Sequence, residues 1–233
     1  MEMLSDWLRG PLFWAALGWA LLGLLRHVLV TLWEVRRIVS RAGDPRVAYR
    51  RVVRGTLTWL FPVAQLRNRP LFSATSVLFH LAVMLVPVFL AGHIALWQEA
   101  LGIAWPALPD SLSTWLTVLA LVTAAALVLQ RVLARDARSL STAQDYLVPL
   151  LVALPFATGL LLMHPAASPL THETALFLHA LTGDLVLFLT PLTKLSHMAL
   201  LPLTQLVSES AWHFPADAGA RVGVALGKVG EPV

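Results

Sequence analysis

Five long apolar runs divide this chain, and polar connections of unequal character separate them. The runs cover about residues 11–33, 71–97, 115–133, 146–163 and 174–204. Most reach the roughly 20 residues that a helix needs to cross about 30 Å of hydrocarbon. The pattern therefore predicts an all-α integral membrane bundle of five transmembrane helices. Residues 1–10 form a short polar lead with Trp7 near the interface. Residues 36–69 alternate basic and apolar positions, and RVAYRRVVRGTLTWLFPVAQL within them reads as an amphipathic helix lying on a membrane surface. Residues 208–233 are polar and rich in Gly and Ala, and are expected to be a loosely ordered tail.

Composition agrees with this pattern and narrows the chemistry. Of 233 residues, 58% are hydrophobic and 13% are charged, against about 25% charged in average globular proteins. No cysteine is present, which removes disulfides, Cys-ligated zinc, iron–sulfur clusters and thioether-linked haem, and leaves histidine as the main soft metal ligand. The first apolar run is long and no small-residue cleavage site ends it, so it is read as a span and not a signal peptide. The sequence pI of about 10.3 reflects arginines in connections, and nucleic acid is not expected as a partner.

Those arginines orient the bundle. The connection after the first run holds nine: Arg36, Arg37, Arg41, Arg46, Arg50, Arg51, Arg54, Arg67 and Arg69. The third run ends in Arg131, Arg135 and Arg138, whereas the connections at 99–113 and 164–174 hold no Lys or Arg. The positive-inside rule then places the N-terminus outside and the C-terminus in the cytoplasm. Membrane lipid is the first partner implied. The basic segment suits anionic headgroups or a cytoplasmic protein.

Ionisable side chains inside apolar runs are costly and mark candidate functional sites. His179 and His197 stand 18 residues apart in the fifth run. On one continuous helix that is five turns and about 27 Å of rise, with both rings on one face. The second run holds His80 and His93. Depth alone pairs His93 with His179 near the outer surface and His80 with His197 near the inner one. A six-coordinate bis-imidazole haem b needs one neutral ring nitrogen from each of two facing helices, so two haems b could stack across the membrane. His80 and His93, 13 residues apart, would point about 140° apart on an ideal helix. A bend at Pro87 would bring both rings round; without it, one pair ligates and one haem is bound. Gly92 precedes His93 and Gly183 lies one turn after His179. Each suits either close approach of a flat macrocycle or close helix packing.

At this point the chain resembles the membrane anchor (gamma) subunit of respiratory nitrate reductase. It also resembles the related membrane cytochromes b of sulfite-reductase-linked and heterodisulfide reductase complexes. The likeness covers residues 70–205. It is carried by His179, Gly183, Pro191, Thr193, Lys194, Leu195 and His197, with Phe79-His80, Gly92-His93 and the run Ser141 to Tyr146 in support. The resemblance implies four axial histidines (His80, His93, His179, His197), two b-type haems, a quinone or menaquinone substrate and a cytoplasmic iron–sulfur subunit, with a catalytic subunit beyond it. It implies a multi-pass protein of a bacterial or archaeal cytoplasmic membrane. Two features depart from the family: the longer spacing in the second run, and Pro109 to Ser113, where the nitrate reductase anchors carry a quinol-site lysine.

Other residues are weighed against plainer roles. Asp184, about 7.5 Å beyond His179 along a helix, suits proton transfer to or from quinone, or a hydrogen bond to a neighbouring helix or a ligand ring. His164, His172 and Glu173 are either solvated loop residues or part of a quinone site. Arg131, Arg135, Arg138 and Lys194 either serve orientation alone or pair with the propionates of an inner haem. His27 and His213 are expected to be structural. Two readings of other classes compete: a non-redox membrane scaffold, and a transporter component in which Asp184 and the histidines relay protons.

Overall fold

The structure, a computed structural model, describes residues 2–60 and 63–229. Of the expected amphipathic segment 36–69, residues 61–62 lie outside the described residues, as do residues 230–233 of the expected tail. The described chain is all-helical, without strands. Five helical stretches are long and apolar enough to span a membrane: Leu8–Arg41, Pro70–Phe89, Asp110–Leu133, Gln144–Met163 and His172–Leu192. Their exposed faces carry Leu21, Leu22, Leu29, Met84, Val122, Leu129 and Leu154 among many other large apolar side chains. Water would not tolerate that much contiguous apolar surface, and lipid does. The chain is a multi-pass membrane protein.

It forms two compact units, Met1–Ala20 with Ala64–Leu195, and Leu21–Val63 with Ser196–Val233. The helices are α1 (Glu2–Trp7), α2 (Phe13–Arg41), α3 (Tyr49–Leu60), α4 (Val63–Asn68), α5 (Pro70–Phe89) and α6 (Ala91–Leu101). They continue with α7 (Asp110–Leu133), α8 (Arg135–Ser139), α9 (Gln144–Met163), α10 (His172–Leu189), α11 (His197–Ser210) and α12 (Ala218–Ala225).

In the first unit the spans pack in chain order, α5 on α7, α7 on α9 and α9 on α10. Their common core is Phe79, Ala82, Val86, Ala120, Ala124, Val152 and Phe156. The alanines on α5 and α7 let these backbones approach closely, as membrane interfaces favour. Buried Thr75, Thr117 and Thr123 turn their hydroxyls back onto carbonyls of their own helices, which satisfies them without a partner helix. Gln130 donates across to the Thr75 hydroxyl at 3.0 Å, tying α7 to α5.

Two expected continuous helices are broken. The second run, expected over 71–97, is two helices: Leu90 leaves the helical region (φ −72°, ψ 131°) and α6 starts afresh at Ala91. The interruption lies three residues beyond Pro87. The fifth run, expected as one helix over 174–204, ends as α10 at Leu189. Pro191 has no N–H to continue the ladder, so the chain passes through two short 3₁₀ turns, with Thr193 extended between them at φ −125° and ψ −178°. The argument that His179 and His197 share one face of a single helix therefore fails. Asp145 holds this interruption from α9. Its Oδ2 accepts from Lys194 Nζ at 2.6 Å and from the Thr142 amide and hydroxyl, and Arg131 lies 3.8 Å from its Oδ1. The Lys194 amide donates to Gln144 Oε1 at 2.9 Å.

In the second unit α2 runs on to Arg41, past the expected end at residue 33, and carries Arg36 and Arg37 on a helix. The amphipathic helix is found as α3. Its narrow face at Gly55 meets Gln205 of α11, and Arg51 pairs with Glu209 at 3.4 Å. The expected loose tail is tied down instead. Gly43 N–H donates to Phe214 O at 2.9 Å, His213 Nδ1–H donates to Asp44 O at 2.6 Å, and α12 follows. That bond also gives His213 the structural role expected of it.

Candidate functional site: a paired-histidine cavity

The break at Leu90 builds the site. A helix end leaves its last four carbonyls without helical partners, and at the end of α5 each carbonyl finds a different donor. Val86 O accepts from the Leu90 amide at 3.0 Å, and Phe89 O accepts from the Leu108 amide at 2.9 Å. Val88 O accepts from Trp105 Nε1 at 2.9 Å. Pro87 O accepts from His93 Nδ1 at 3.0 Å. The interruption thus orients His93, whose ring is held by the helix end that precedes it.

His179 is fixed from the neighbouring helix. Its Nδ1 donates to Pro155 O of α9 at 2.9 Å. The ring lies against Gly159, where a Cβ would come within 3.0 Å of Cε1 and 3.1 Å of Nδ1. A side chain at this position would press on the ring.

The two rings lie 5.9 Å apart, centre to centre, with planes 8° from parallel. In each, Nδ1 carries the proton because it donates to a carbonyl, so Nε2 keeps its lone pair. This is the second-sphere arrangement that fixes the tautomer of metal-ligating histidines. Imidazoles that bound opposite sides of one metal, with bonds of about 2.0 Å and ring centres roughly 1.1 Å behind each nitrogen, would stand about 6.2 Å apart, close to the 5.9 Å between these rings.

Both rings open into a cavity of about 940 Å³ within the first unit. That is the upper part of the range for ligand clefts, about 300–1,000 Å³. Its walls are mainly Leu, Val, Phe and Pro from the N-terminal segment, α5, α6, α9 and α10. Trp97 and Trp105 also line it, with Trp14 edge-on to Trp97 at 5.5 Å. Gly92 and Gly183 both line the cavity, and a Cβ on either would meet nothing within 4 Å. Neither glycine is in close contact with a neighbouring helix at its Cβ position.

Two imidazoles supply two ligands. A lone zinc ion in a structural or catalytic site takes three or four from the protein, and among the described residues no three His, Cys, Asp or Glu side chains gather to hold a metal. A metal that brings four equatorial ligands in a flat macrocycle can take two axial nitrogens and suits a wide cavity with apolar walls. The residues fit that group.

Of the remaining candidates, Asp184 lines the cavity and is 7% exposed, with Oδ2 lacking a hydrogen-bond partner. His164 lies in the lining, and its Nε2 is 3.3 Å from the Thr114 hydroxyl. His172 and Glu173 are exposed and do not line it. His80, in the first unit, donates Nδ1–H to Ser76 O at 2.7 Å and so presents Nε2 in the same tautomer as the other two. His197 opens α11 in the second unit, and each of this pair is described within its own unit. Sequence reasoning missed Gly159, Pro155 and Arg9. The glycine and proline were visible only as helix-weakening residues in an apolar run. Arg9 lines the cavity from the N-terminal segment and pairs with Asp6 at 2.7 Å.

The fold and site define an all-helical multi-pass membrane protein with an intramembrane paired-histidine cavity. Within that class, the chain belongs to one family with a protein of Nitratidesulfovibrio vulgaris (strain Hildenborough). The two are 36% identical over 188 residues, which cover 76% of this chain and 80% of that protein. That relative is described only as "Protein", so the kinship establishes a family and not an activity. No family model and no solved structure matches the chain.

Proposed function

We propose that the chain is the dihaem cytochrome b subunit of a membrane oxidoreductase complex, exchanging electrons between a quinone pool and a cytoplasmic iron–sulfur partner. The observation that carries this reading is the His93–His179 pair. Its rings are near parallel with centres 5.9 Å apart, each is anchored through Nδ1, and both line a cavity of about 940 Å³, which supports axial ligation of one macrocycle. A haem b bound there supplies a one-electron carrier.

The protein's residues do the rest. Pro87 and Pro155 carbonyls orient the two rings, and Gly159, Gly92 and Gly183 leave the space. The apolar walls exclude water, which disfavours charge and so tunes the potential of whatever is held. His80 and His197 are the second, inner axial pair in this reading, as the resemblance implies, with His80 already in the required tautomer. The arginine-rich side faces the cytoplasm, which puts the N-terminus and the His93–His179 cavity outside, in a bacterial or archaeal cytoplasmic membrane. Quinone or menaquinone meets the outer centre, and the basic surface of α2 and α3 meets lipid headgroups and the iron–sulfur subunit.

The test is a reduced-minus-oxidised absorbance spectrum with haem counted per polypeptide, on the wild type, His80→Ala and His197→Ala. Two haems b in the wild type and one in each variant would support the dihaem reading. One haem in all three would restrict the site to the His93–His179 pair. A protein without a Soret band would exclude the haem reading altogether.

A further inference from the structure

Asp184 is the one carboxylate in the cavity wall that is almost fully covered. It is 7% exposed, lies in a span, and leaves Oδ2 without a hydrogen-bond partner. Membrane helices rarely carry a buried carboxylate without a pairing group, and where they do it marks a functional site. The titratable and charged side chains that share the cavity are Arg9, Asp110, His93, His164 and His179. Arg9 is taken by Asp6 of α1. The His93 and His179 Nδ1 protons go to Pro87 and Pro155 carbonyls, and His164 meets Thr114. Of the acids on the facing helix α9, Asp145 is occupied by Lys194 and Thr142. Among the described residues no Lys or Arg other than Arg9 lines the cavity beside Asp184, so its charge is neutralised most simply by a proton.

That placement has a consequence once an electron enters the same cavity. Asp184 follows His179 by five residues, about 7.5 Å of helix rise. At a separation of that order and an effective dielectric of about 20, one added negative charge strengthens proton binding by roughly tenfold or more. We propose that Asp184 takes up one proton when the centre held by His93 and His179 gains an electron and releases it when that electron leaves. The balance is one electron from an external reductant and one proton from water, both returned on reoxidation. The proposal rests on the paired-histidine reading above and adds a proton acceptor to it. Asp184 is a positioning and proton-holding residue in this account and does not touch the metal.

The experiment is a potentiometric titration of the haem absorbance between pH 5.5 and 8.5 on the full chain, with dithionite and ferricyanide. The wild-type midpoint potential should fall as pH rises, approaching the 59 mV per tenfold change in proton activity that a one-electron, one-proton couple gives. Asp184→Asn, nearly isosteric, should keep the spectrum and lose the slope, and Asp184→Glu should keep both. Asp110→Asn and His164→Asn should retain the wild-type slope. An unchanged slope in Asp184→Asn, or a slope lost in Asp110→Asn or His164→Asn instead, would overturn the proposal. A pH-independent wild-type potential would overturn it while leaving the haem site standing. A wild type with no Soret band would overturn both.

Discussion

Replacing Gly159 with alanine perturbs the site through a single methyl group. The new Cβ would stand 3.0 Å from His179 Cε1 and 3.1 Å from Nδ1, so the ring must retreat by several tenths of an ångström. Its bond to Pro155 O, 2.9 Å in the structure, stretches toward the limit of a hydrogen bond. Losing that bond costs about 1 kcal/mol. Overfilling a tight contact costs about 1–3 kcal/mol. Alanine in a helix returns about 0.5–1 kcal/mol through reduced backbone freedom. The fold should therefore lose about 1–3 kcal/mol. Because the His179 tautomer and angle depend on the lost bond, metal affinity should fall about 10- to 100-fold. The assay is a titration of purified protein with haem b, following the low-spin Soret band. Gly18→Ala, where a Cβ meets nothing within 4 Å and which does not line the cavity, is the control and should bind as the wild type does. If Gly159→Ala binds haem as tightly as Gly18→Ala, the ring contact does not position the ligand and the reasoning fails.

Two other predictions follow from parts outside the cavity. Asp145→Ala removes acceptors from Thr142 and Lys194 at the start of α9, and should cost about 1–2 kcal/mol, as loss of a helix-end cap does. Thermal unfolding in detergent reads this, and an unchanged midpoint would show that the interruption at 190–196 holds without Asp145. The chain has no cysteine, so single cysteines report its orientation cleanly. Ala166→Cys should react with a membrane-impermeant maleimide on intact cells and Ser139→Cys only after lysis; the reverse pattern would invert the assignment.

The span count was legible because it depends on length and apolarity alone. Runs of that kind have few alternatives in a bilayer, and all five structural spans start within about five residues of the expected bounds. The broken helices were not legible in the same way. Pro87 and Pro191 are visible in the sequence, but prolines in membrane helices bend some, break others and leave others straight. At Leu90 the break holds because Trp105 and Leu108, beyond a turn, donate to the carbonyls it frees. That is a tertiary fact with no local signature.

The same holds for the site. His93 and His179 could be matched by depth from sequence, and the structure brings them together. The groups that aim them, Pro155 and Gly159 on α9, belong to a third helix with no pattern linking it to either ring. The pairing of His80 with His197 was argued through one continuous helix, and the interruption at Pro191 removes that support while leaving the residues themselves as candidates.

The most direct test of the central claim is the low-temperature electron paramagnetic resonance spectrum of the oxidised protein, compared with His93→Ala and His179→Ala. Axial imidazoles with planes 8° from parallel should give a rhombic low-spin ferric signal, lost in both variants while any second haem signal persists. A rhombic signal that survives either substitution, or a highly anisotropic signal of the kind perpendicular imidazoles give that disappears with them, would contradict the assignment of His93 and His179 as the parallel axial pair.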